Sequence, residues 1–379
     1  NWVPDHIQSG RFGKWLENAR DWSISRNRVW GNPIPVWIND HTGQRICIGS
    51  IEELTKYTGK TDITDIHREF IDDLTFQIDG EAGTYHRTKE VLDCWFESGA
   101  MPYAQLHYPF ENKSVFESGF PAQFIAEGLD QTRGWFYTLH VIASALFDQP
   151  AFKNVIVNGI ILAESGKKMS KSLKNYTPPQ TLIDQYGADA LRLYMISGGL
   201  VKGEEQRFSD QGVKEMLRRT LIPWLNAFNF LTTYTEIDGW QPDASITSTH
   251  PLDRWVRSRM ESLKQRLTHQ MTEYKLYNVV PELLIMVDEL TNIYIRMNRP
   301  RFWASGCDDD KKAAFQTLYE CIHDISLLMA PFSPFMSEHI YQSLKSHYPD
   351  APLKESVHLC TYPKAQDTLM DPILEEAIL

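Results

Sequence analysis

The second half of the chain has a helical pattern of apolar and polar positions. Apolar residues recur there every three or four positions, which is the spacing of one face of an α-helix. Pro331 ends the last of these stretches, and Ser333-Pro334 is a typical start for a further helix. We therefore predict an all-α helical bundle over residues 206–379. The stretches with this spacing are 213–231 (with a kink expected at Pro223), 252–271, 283–297 and 315–329.

The first half has short apolar runs separated by turns, a pattern that predicts an α/β domain over residues 1–205. The run 155–157 predicts a strand, and 124–126 predicts a buried strand between a proline and a glycine. Apolar positions from Trp135 to Leu146 then mark one face of a helix. We therefore expect strands that alternate with helices, as in an open sheet.

Two stretches near the start have other patterns. Apolar residues between positions 11 and 19 have helical spacing, and the next helix is expected to end at Trp30-Gly31, because the Gly and the Pro that follow break helices. Residues 37–90 are rich in turns and charges. We interpret them as a small insertion without chemistry of its own, with Ser50 as a helix cap.

Composition and charge narrow the class of protein only slightly. The chain has 379 residues, 42% hydrophobic and 23% charged, with a net charge of −11. No apolar run reaches the length of a membrane span, so no membrane partner is expected. The five cysteines show no zinc spacing, which favours free thiols and a cytoplasmic location. Residues 251–305 carry nine Lys/Arg and six Asp/Glu, and this local excess of positive charge is compatible with an RNA partner.

A lysine-rich loop follows the predicted strands near residue 160. Its sequence is Lys168-Met169-Ser170-Lys171-Ser172, and a turn of sequence Glu-Ser-Gly precedes it. Ligands of open α/β sheets bind at the carboxyl ends of the strands. Two ammonium groups at this place suit a polyphosphate, although a solvated lysine loop is the simpler alternative.

An acidic turn joins the predicted strand at 124–126 to the helix that begins near Trp135. It contains Glu127, Asp130 and Gln131. A carboxylate at the carboxyl end of a strand can hold the α-ammonium group of an amino acid. The alternative is that Asp130 only caps the helix.

These motifs resemble those of the class I aminoacyl-tRNA synthetases. The lysine loop matches their KMSKS loop, and the acidic turn is similar to the adenylate site of the isoleucyl-tRNA synthetase family. The stretches 15–31, 92–99 and 187–192 also resemble this family, and Met101-Pro102-Tyr103-Ala104-Gln105 resembles its eukaryotic-type members. The resemblance covers nearly the whole chain. It implies a partial Rossmann-like catalytic core followed by an anticodon-binding helical bundle.

The resemblance also implies substrates and residue roles. The partners would be isoleucine, ATP with Mg²⁺, and tRNA(Ile), and the reaction would form isoleucyl-adenylate and then isoleucyl-tRNA. By position, Lys168 and Lys171 would stabilise the leaving pyrophosphate within an ATP site formed by residues 168–172. In the aminoacyl-adenylate site, Glu127 would contact the adenylate, Asp130 and Gln131 would hold the amino-acid head, and Trp135 and Trp30 would line the side-chain pocket.

The segment Met297–Trp303 combines arginines with two aromatic residues at a predicted helix end. Such a combination suits stacking on unpaired bases and contact with phosphates, although a solvated helix end is the more frequent case. The family resemblance favours tRNA binding by Arg296, Arg299 and Arg301.

The chain departs from the family pattern in one important respect. Class I synthetases also carry a His-x-Gly-His motif for ATP, and none of the twelve histidines here lies in one. An editing domain, which supplies hydrolytic proofreading where binding discriminates poorly, is not recognisable either. We therefore expect a fragment that does not activate isoleucine alone. A synthetase-derived tRNA-binding module and a valine or leucine enzyme remain alternatives, whereas the missing GxxxxGK[ST] pattern excludes a P-loop ATPase.

Overall fold

The computed structural model describes residues 1–378, which form two compact units. The first unit is Asn1–Val155, and the second begins at Ile156. In the first unit the strands are β1 (Trp2–Val3), β2 (Ser25–Arg26), β3 (Val36–Asn39), β4 (Arg45–Cys47), β5 (Tyr85–Arg87), β6 (Val91–Leu92) and β7 (Ile125–Gly128). Its α-helices are α1 (Gly13–Glu17), α2 (Ile51–Thr58), α3 (Arg68–Ile71), α4 (Cys94–Gly99), α5 (Met101–Ala104), α6 (Lys113–Gly119) and α7 (Trp135–Phe147).

The predicted insertion forms a small antiparallel sheet with a core of its own. Strand β3 lies between β4 and β5, and Trp37 at its centre is 1% exposed. Ser50 caps α2 as predicted, because its Oγ accepts a hydrogen bond from the Glu53 amide at 3.1 Å. These contacts hold the insertion as an ordered module.

Two predictions for the first unit were wrong in detail. The strand expected to be buried at 124–126 is β7, which begins one residue later, and its Glu127 is exposed. A run of three apolar residues does not determine how many faces of a strand are covered. No helix ends at Trp30: within the described residues 18–33 the chain instead forms β2, which pairs antiparallel with β6. Pairing with a remote strand outweighs local helix propensity here.

The second unit is predominantly helical. Its strands are β8 (Val155–Asn158, which starts at the last residue of the first unit), β9 (Ile161–Leu162) and β10 (Gln206–Arg207), and β9 pairs in parallel with β10. Its helices are α8 (Pro179–Tyr186), α9 (Ala188–Ile196), α10 (Asp210–Met216), α11 (Ile222–Asp238), α12 (Pro251–Thr272), α13 (Leu276–Asp288), α14 (Arg296–Phe302), α15 (Asp309–Met329), α16 (Pro334–His347) and α17 (Pro372–Ile378).

The predicted helical bundle is confirmed. Trp224, Trp255 and Leu318 come from three different helices and are fully buried in one core. Helix α16 begins at Pro334 as expected from the Ser333-Pro334 signal. A π-helical turn at Leu217–Leu221 leads into α11, which has Pro223 in its first turn, and the kink expected at Pro223 stays a prediction. A π-helical turn accommodates a residue that cannot donate a backbone hydrogen bond.

Candidate functional site

The acidic turn lies at the carboxyl end of β7, where residues 129–133 form a 3₁₀ turn that leads into α7. Gln131 Oε1 accepts a hydrogen bond from the Trp135 amide at 2.9 Å, and Gln131 Nε2 donates to Asp130 Oδ2 at 3.1 Å. Gln131, and not Asp130, therefore satisfies the first amide of α7. The exposed Asp130 carboxylate keeps acceptor capacity for a ligand.

Gly134 allows this turn to close tightly. A Cβ atom at this position would lie 2.7 Å from Gln131 Oε1 and 3.0 Å from the Trp95 ring. A larger residue would have to displace the Gln131 side-chain amide and crowd the Trp95 ring. The sequence Gln-Thr-Arg-Gly-Trp therefore fixes the Gln131 amide beside Asp130, so that the two side chains form one polar surface at the start of α7.

Trp135 forms a wall of an apolar cavity in the first unit. The cavity has a volume of about 290 Å³, and Met101, Leu106 and Ile125 also line it. Trp135 Nε1 donates to the carbonyl of Ser98 at 3.1 Å, which fixes the orientation of the indole. An apolar surface of this kind can accept an aliphatic side chain.

Trp30 lies at an exposed loop and is 69% accessible. Its indole stacks on His67 of the insertion, with ring centroids 4.5 Å apart. Arg68 of the insertion donates to the carbonyl of Arg28 at 2.7 Å. The insertion therefore contacts the Trp30 loop directly, and the pocket role of Trp30 remains a prediction.

Asp93 is a buried carboxylate that holds Trp22 and Arg26. The sequence alone does not reveal this role, because a lone aspartate is usually a surface acid. Asp93 is 3% exposed, caps α4 and accepts hydrogen bonds from Trp22 Nε1 at 3.0 Å and Arg26 at 2.6 Å. Burial alone would raise the pKa of Asp93, but the hydrogen bonds from Trp22 and the Trp95 amide and the charge of Arg26 lower it below 3.8.

Replacing Asp93 by asparagine is expected to reduce the free energy of unfolding by about 1–3 kcal/mol at neutral pH, because the bonds from Arg26 and Trp22 are weakened. Since the pKa of Asp93 is depressed in the folded state, its contribution is present above the unfolded pKa and is lost as the pH falls through the folded pKa. Urea denaturation at several pH values measures the free energy of unfolding. The difference in this free energy between wild type and Asp93→Asn should shrink below about pH 4. A constant difference would contradict the assignment.

The KMSKS loop connects β9 to α8 in the second unit. Lys168 and Lys171 are exposed, and no ion pair to either is found among residues 1–378. Met169 packs against the core of the unit, which anchors the loop between the two ammonium groups. Ser170 and Ser172 share a hydrogen bond between their hydroxyls at 2.7 Å. The loop thus presents two exposed cations on a structured backbone.

Asn175 braces this loop and was not identified as a site residue from the sequence. Its Oδ1 accepts from the Ser170 amide at 3.0 Å, and its Nδ2 donates to the carbonyl of Lys168 at 3.1 Å. A single side chain therefore fixes the backbone on both sides of Met169. The only signal in the sequence was an asparagine shortly after the motif, which is common in ordinary turns.

Replacing Asn175 by alanine is expected to speed amide hydrogen exchange at Ser170–Ser172 by about 5- to 15-fold. The reason is that the loop would open more easily by the net free energy of about one hydrogen bond. Hydrogen exchange read by mass spectrometry on peptides covering 165–178 would measure it. Leu173→Ala is a matched control, because this side chain in the same loop is 65% exposed. Equal acceleration by both variants would argue against the brace.

The three arginines of the predicted RNA-contact segment differ in their surroundings. Arg296 and Arg299 are exposed on α14. Arg301 is held by a bidentate ion pair to the fully buried Asp253, at 2.8 and 2.9 Å, and by Asp310. Burial would lower the pKa of Arg301, but the hydrogen bonds that it donates to both carboxylates raise the pKa above its usual value. The guanidinium of Arg301 is therefore already occupied, which leaves Arg296 and Arg299 as available cations.

Neither a metal-binding cluster nor a membrane-spanning helix is present within residues 1–378. No group of three or more His, Cys, Asp or Glu side chains in that range is placed to hold a metal ion. No helix in the same range combines the length and the hydrophobicity needed to cross a bilayer.

Comparisons with known proteins agree with both units. The family model "tRNA synthetases class I (I, L, M and V)" matches residues 1–207, and "Anticodon-binding domain of tRNA ligase" matches residues 253–378. Among solved structures, the Agrobacterium radiobacter K84 LeuRS–tRNA–LeuAMS complex has a TM-score of 0.71 at 17% identity, covering 96% of this chain and 46% of that chain. Mycobacterium tuberculosis methionyl-tRNA synthetase in complex with methionyl-adenylate has a TM-score of 0.64 at 16% identity. This match covers 89% of this chain and 57% of that chain. At these identities the two structures show the fold alone: a Rossmann-like class I core followed by a helical domain.

Curated relatives are more similar in sequence. The chain is 51% identical over 379 residues to the isoleucine–tRNA ligase of Bdellovibrio bacteriovorus and 52% identical over 379 residues to that of Chlamydia abortus. These alignments cover 100% and 99% of this chain but 36% of each relative, so the chain spans about a third of their length. Both relatives are bacterial and give no support to the eukaryotic-type assignment. The chain belongs to the class I tRNA synthetases of the isoleucine, leucine, methionine and valine group.

Proposed function

We propose that this chain is the part of an isoleucine–tRNA ligase that carries the KMSKS loop, the amino-acid turn and the anticodon-binding bundle. The observation that carries the proposal is about 50% identity over the whole chain to enzymes of that name, together with the two exposed lysines of the loop. In the first step an oxygen of the isoleucine carboxylate attacks the α-phosphate of MgATP, and pyrophosphate leaves. In the second step a hydroxyl of the 3′-terminal ribose of tRNA attacks the carbonyl carbon, and AMP leaves.

The lysine loop would act on the leaving pyrophosphate. Lys168 and Lys171 extend from a loop whose backbone Asn175 fixes at Lys168 and Ser170, so the part of the loop that carries both ammonium groups is ordered before ATP binds. Preorganised charge of this kind stabilises a transition state in which negative charge moves onto the leaving group. Mg²⁺ enters with ATP as part of the substrate and shares the charge of the phosphates.

The acidic turn would hold the amino acid. Asp130 has an exposed carboxylate for the α-ammonium group, and Gln131 is fixed beside it by the Trp135 amide. Glu127, exposed at the end of β7, would contact the adenylate. Trp135 would pack on the branched side chain, and Trp30 would line the same pocket after leaving His67.

The helical bundle would bind tRNA(Ile) through Arg296 and Arg299, whose side chains are exposed three residues apart on α14. The free thiols of the five cysteines are compatible with a reducing, cytoplasmic location. The sequence contains no His-x-Gly-His motif, so we propose that amino-acid activation requires that part of the ATP site from polypeptide outside these 379 residues.

The test is amino-acid-dependent ATP–pyrophosphate exchange. It would compare this chain alone with a chimera in which the chain replaces the matching 379 residues of the Bdellovibrio ligase. Exchange by the chimera with isoleucine, and far less with valine or leucine, is the expected result. A chimera that folds but exchanges none of the three would contradict the proposal, and exchange by the chain alone would contradict the need for additional polypeptide.

A further inference from the structure

Arg207 is an exposed arginine on the strand beside the one that leads into the KMSKS loop. It ends β10, and its partner in the parallel ladder with β9 is Leu162. Leu162 also forms an antiparallel bridge with Lys168, the first residue of the loop. Partners in either kind of ladder project from the same face of a sheet. Arg207 and Lys168 therefore rise from one face, on opposite sides of Leu162, with their backbones about 10 Å apart.

The guanidinium of Arg207 leans across β9 towards the lysine loop. It lies over Gly166, in the turn that precedes the loop, because a Cβ atom at Gly166 would be 3.2 Å from each of Cζ, Nε and Nη2 of Arg207. The three equal distances mean that the flat face of the guanidinium covers this part of the turn. Gly166 has a φ of +78°, so a side chain there would be strained and would also displace the guanidinium.

The backbone that carries Arg207 is fixed from two sides. The Phe208 amide donates to the carbonyl of Leu162 at 2.9 Å, and the Phe208 ring is buried in the core of the unit. The Tyr194 hydroxyl, on α9, donates to the carbonyl of Arg207 at 3.0 Å and accepts from the Ser209 amide at 3.1 Å. The position of Arg207 is therefore set by the sheet and by α9, and not by the KMSKS loop.

The positive charge of Arg207 is not neutralised within residues 1–378, where no carboxylate forms an ion pair with it. Asp210, three positions further on, instead accepts from the Thr177 hydroxyl at 2.6 Å. Like charges gathered on one exposed surface create a positive potential that attracts a multiply charged anion. The planar fork of an arginine also matches the oxygens of a phosphate group.

We infer that Arg207 binds the phosphates of ATP together with Lys168 and Lys171. This inference rests on the proposed function and adds a residue to its polyphosphate site. Because the backbone of Arg207 is fixed by the sheet, its guanidinium meets the phosphates alike in bound ATP and in pyrophosphate. Uniform binding of this kind lowers KM without raising kcat. Arg207 thus differs from Lys171, whose contribution is expected in the transition state.

The test is ATP–pyrophosphate exchange by the chimera with the Bdellovibrio ligase, with KM and kcat measured separately. Arg207→Gln should raise the KM for ATP and the KM for pyrophosphate by about 10- to 100-fold, as for a lost charged hydrogen bond, and leave kcat within about threefold. Arg207→Lys should recover part of the loss, because it restores the charge without the fork. Arg219→Gln is the control, since Arg219 is an exposed arginine of the same unit that pairs with Glu215 at 2.7 Å.

The outcomes separate this inference from the proposed function. If wild type exchanges with isoleucine and Arg207→Gln has both KM values within about twofold of wild type, the role of Arg207 is wrong and the proposed function stands. A loss confined to kcat, or an equal loss in Arg219→Gln, would also overturn it. If the wild-type chimera exchanges nothing, both fail.

Unfolding of the same variants separates phosphate binding from a structural role. The Arg207 side chain is exposed and has no ion pair within residues 1–378, so Arg207→Gln should unfold at the same denaturant concentration as wild type. A lowered midpoint in both Arg207→Gln and Arg207→Lys would instead make Arg207 a structural residue and overturn the inference.

Discussion

Replacing Lys171 by alanine in the chimera with the Bdellovibrio ligase is expected to lower the rate of isoleucine-dependent ATP–pyrophosphate exchange by about 10²–10³-fold. The lysine is exposed on a braced loop and would meet charge that develops only as pyrophosphate leaves. Because that interaction is stronger in the transition state than in the ground state, the loss should appear in kcat and not mainly in KM.

Lys167→Ala is the matched control for Lys171→Ala. Lys167 is also exposed and has the same charge, but it precedes the loop, and the structure uses its backbone carbonyl to accept from the Ala163 amide at 2.8 Å. We expect this variant to retain exchange within a few-fold of wild type. Equal losses in both variants would show that total charge, and not position, governs the rate.

Replacing Arg301 by alanine is expected to cost about 3–5 kcal/mol of unfolding free energy, because Asp253 would remain buried without its cation. Asp253 is 0% exposed, and Tyr294 and Ser248 alone would then stabilise its charge. Denaturant unfolding followed by circular dichroism would measure the change.

Arg299→Ala provides the complementary measurement. This exposed arginine has no ion pair within residues 1–378, so its loss should leave the midpoint of unfolding nearly unchanged and weaken RNA binding. Arg301→Ala should instead lower the midpoint of unfolding, and the fraction of this variant that remains folded should bind RNA nearly as tightly as wild type. If Arg301→Ala leaves stability unaltered, the network around Asp253 contributes little.

The features that the sequence predicted correctly depend on local patterns. The helices of the bundle follow from a period of about 3.6 residues sustained over long stretches, and the Ser50 cap follows from a preference that acts within three residues. The places of the lysine loop after β9 and of the acidic turn after β7 were predicted because the residues of each are contiguous, whereas their ligand roles stay predictions.

The features that the sequence did not reveal join residues far apart in the chain. Asp93 meets Arg26, 67 positions away, and Arg301 meets Asp253, 48 positions away. The spacing of single residues contains no information on such pairs, so Arg301 was grouped with the exposed arginines. The stack of Trp30 on His67 of the insertion is a contact of the same kind.

The internal pairing of Arg301 has a consequence for how the bundle would respond to ionic strength. A cation that releases no counterion on association adds nothing to the dependence of affinity on salt. Each phosphate contact contributes only about 0.7–0.9 to the slope of log affinity against log salt concentration. With Arg296 and Arg299 as the free cations of α14, association at this helix would release few counterions. RNA binding by this helix should therefore persist at salt concentrations that dissociate proteins with broad basic surfaces.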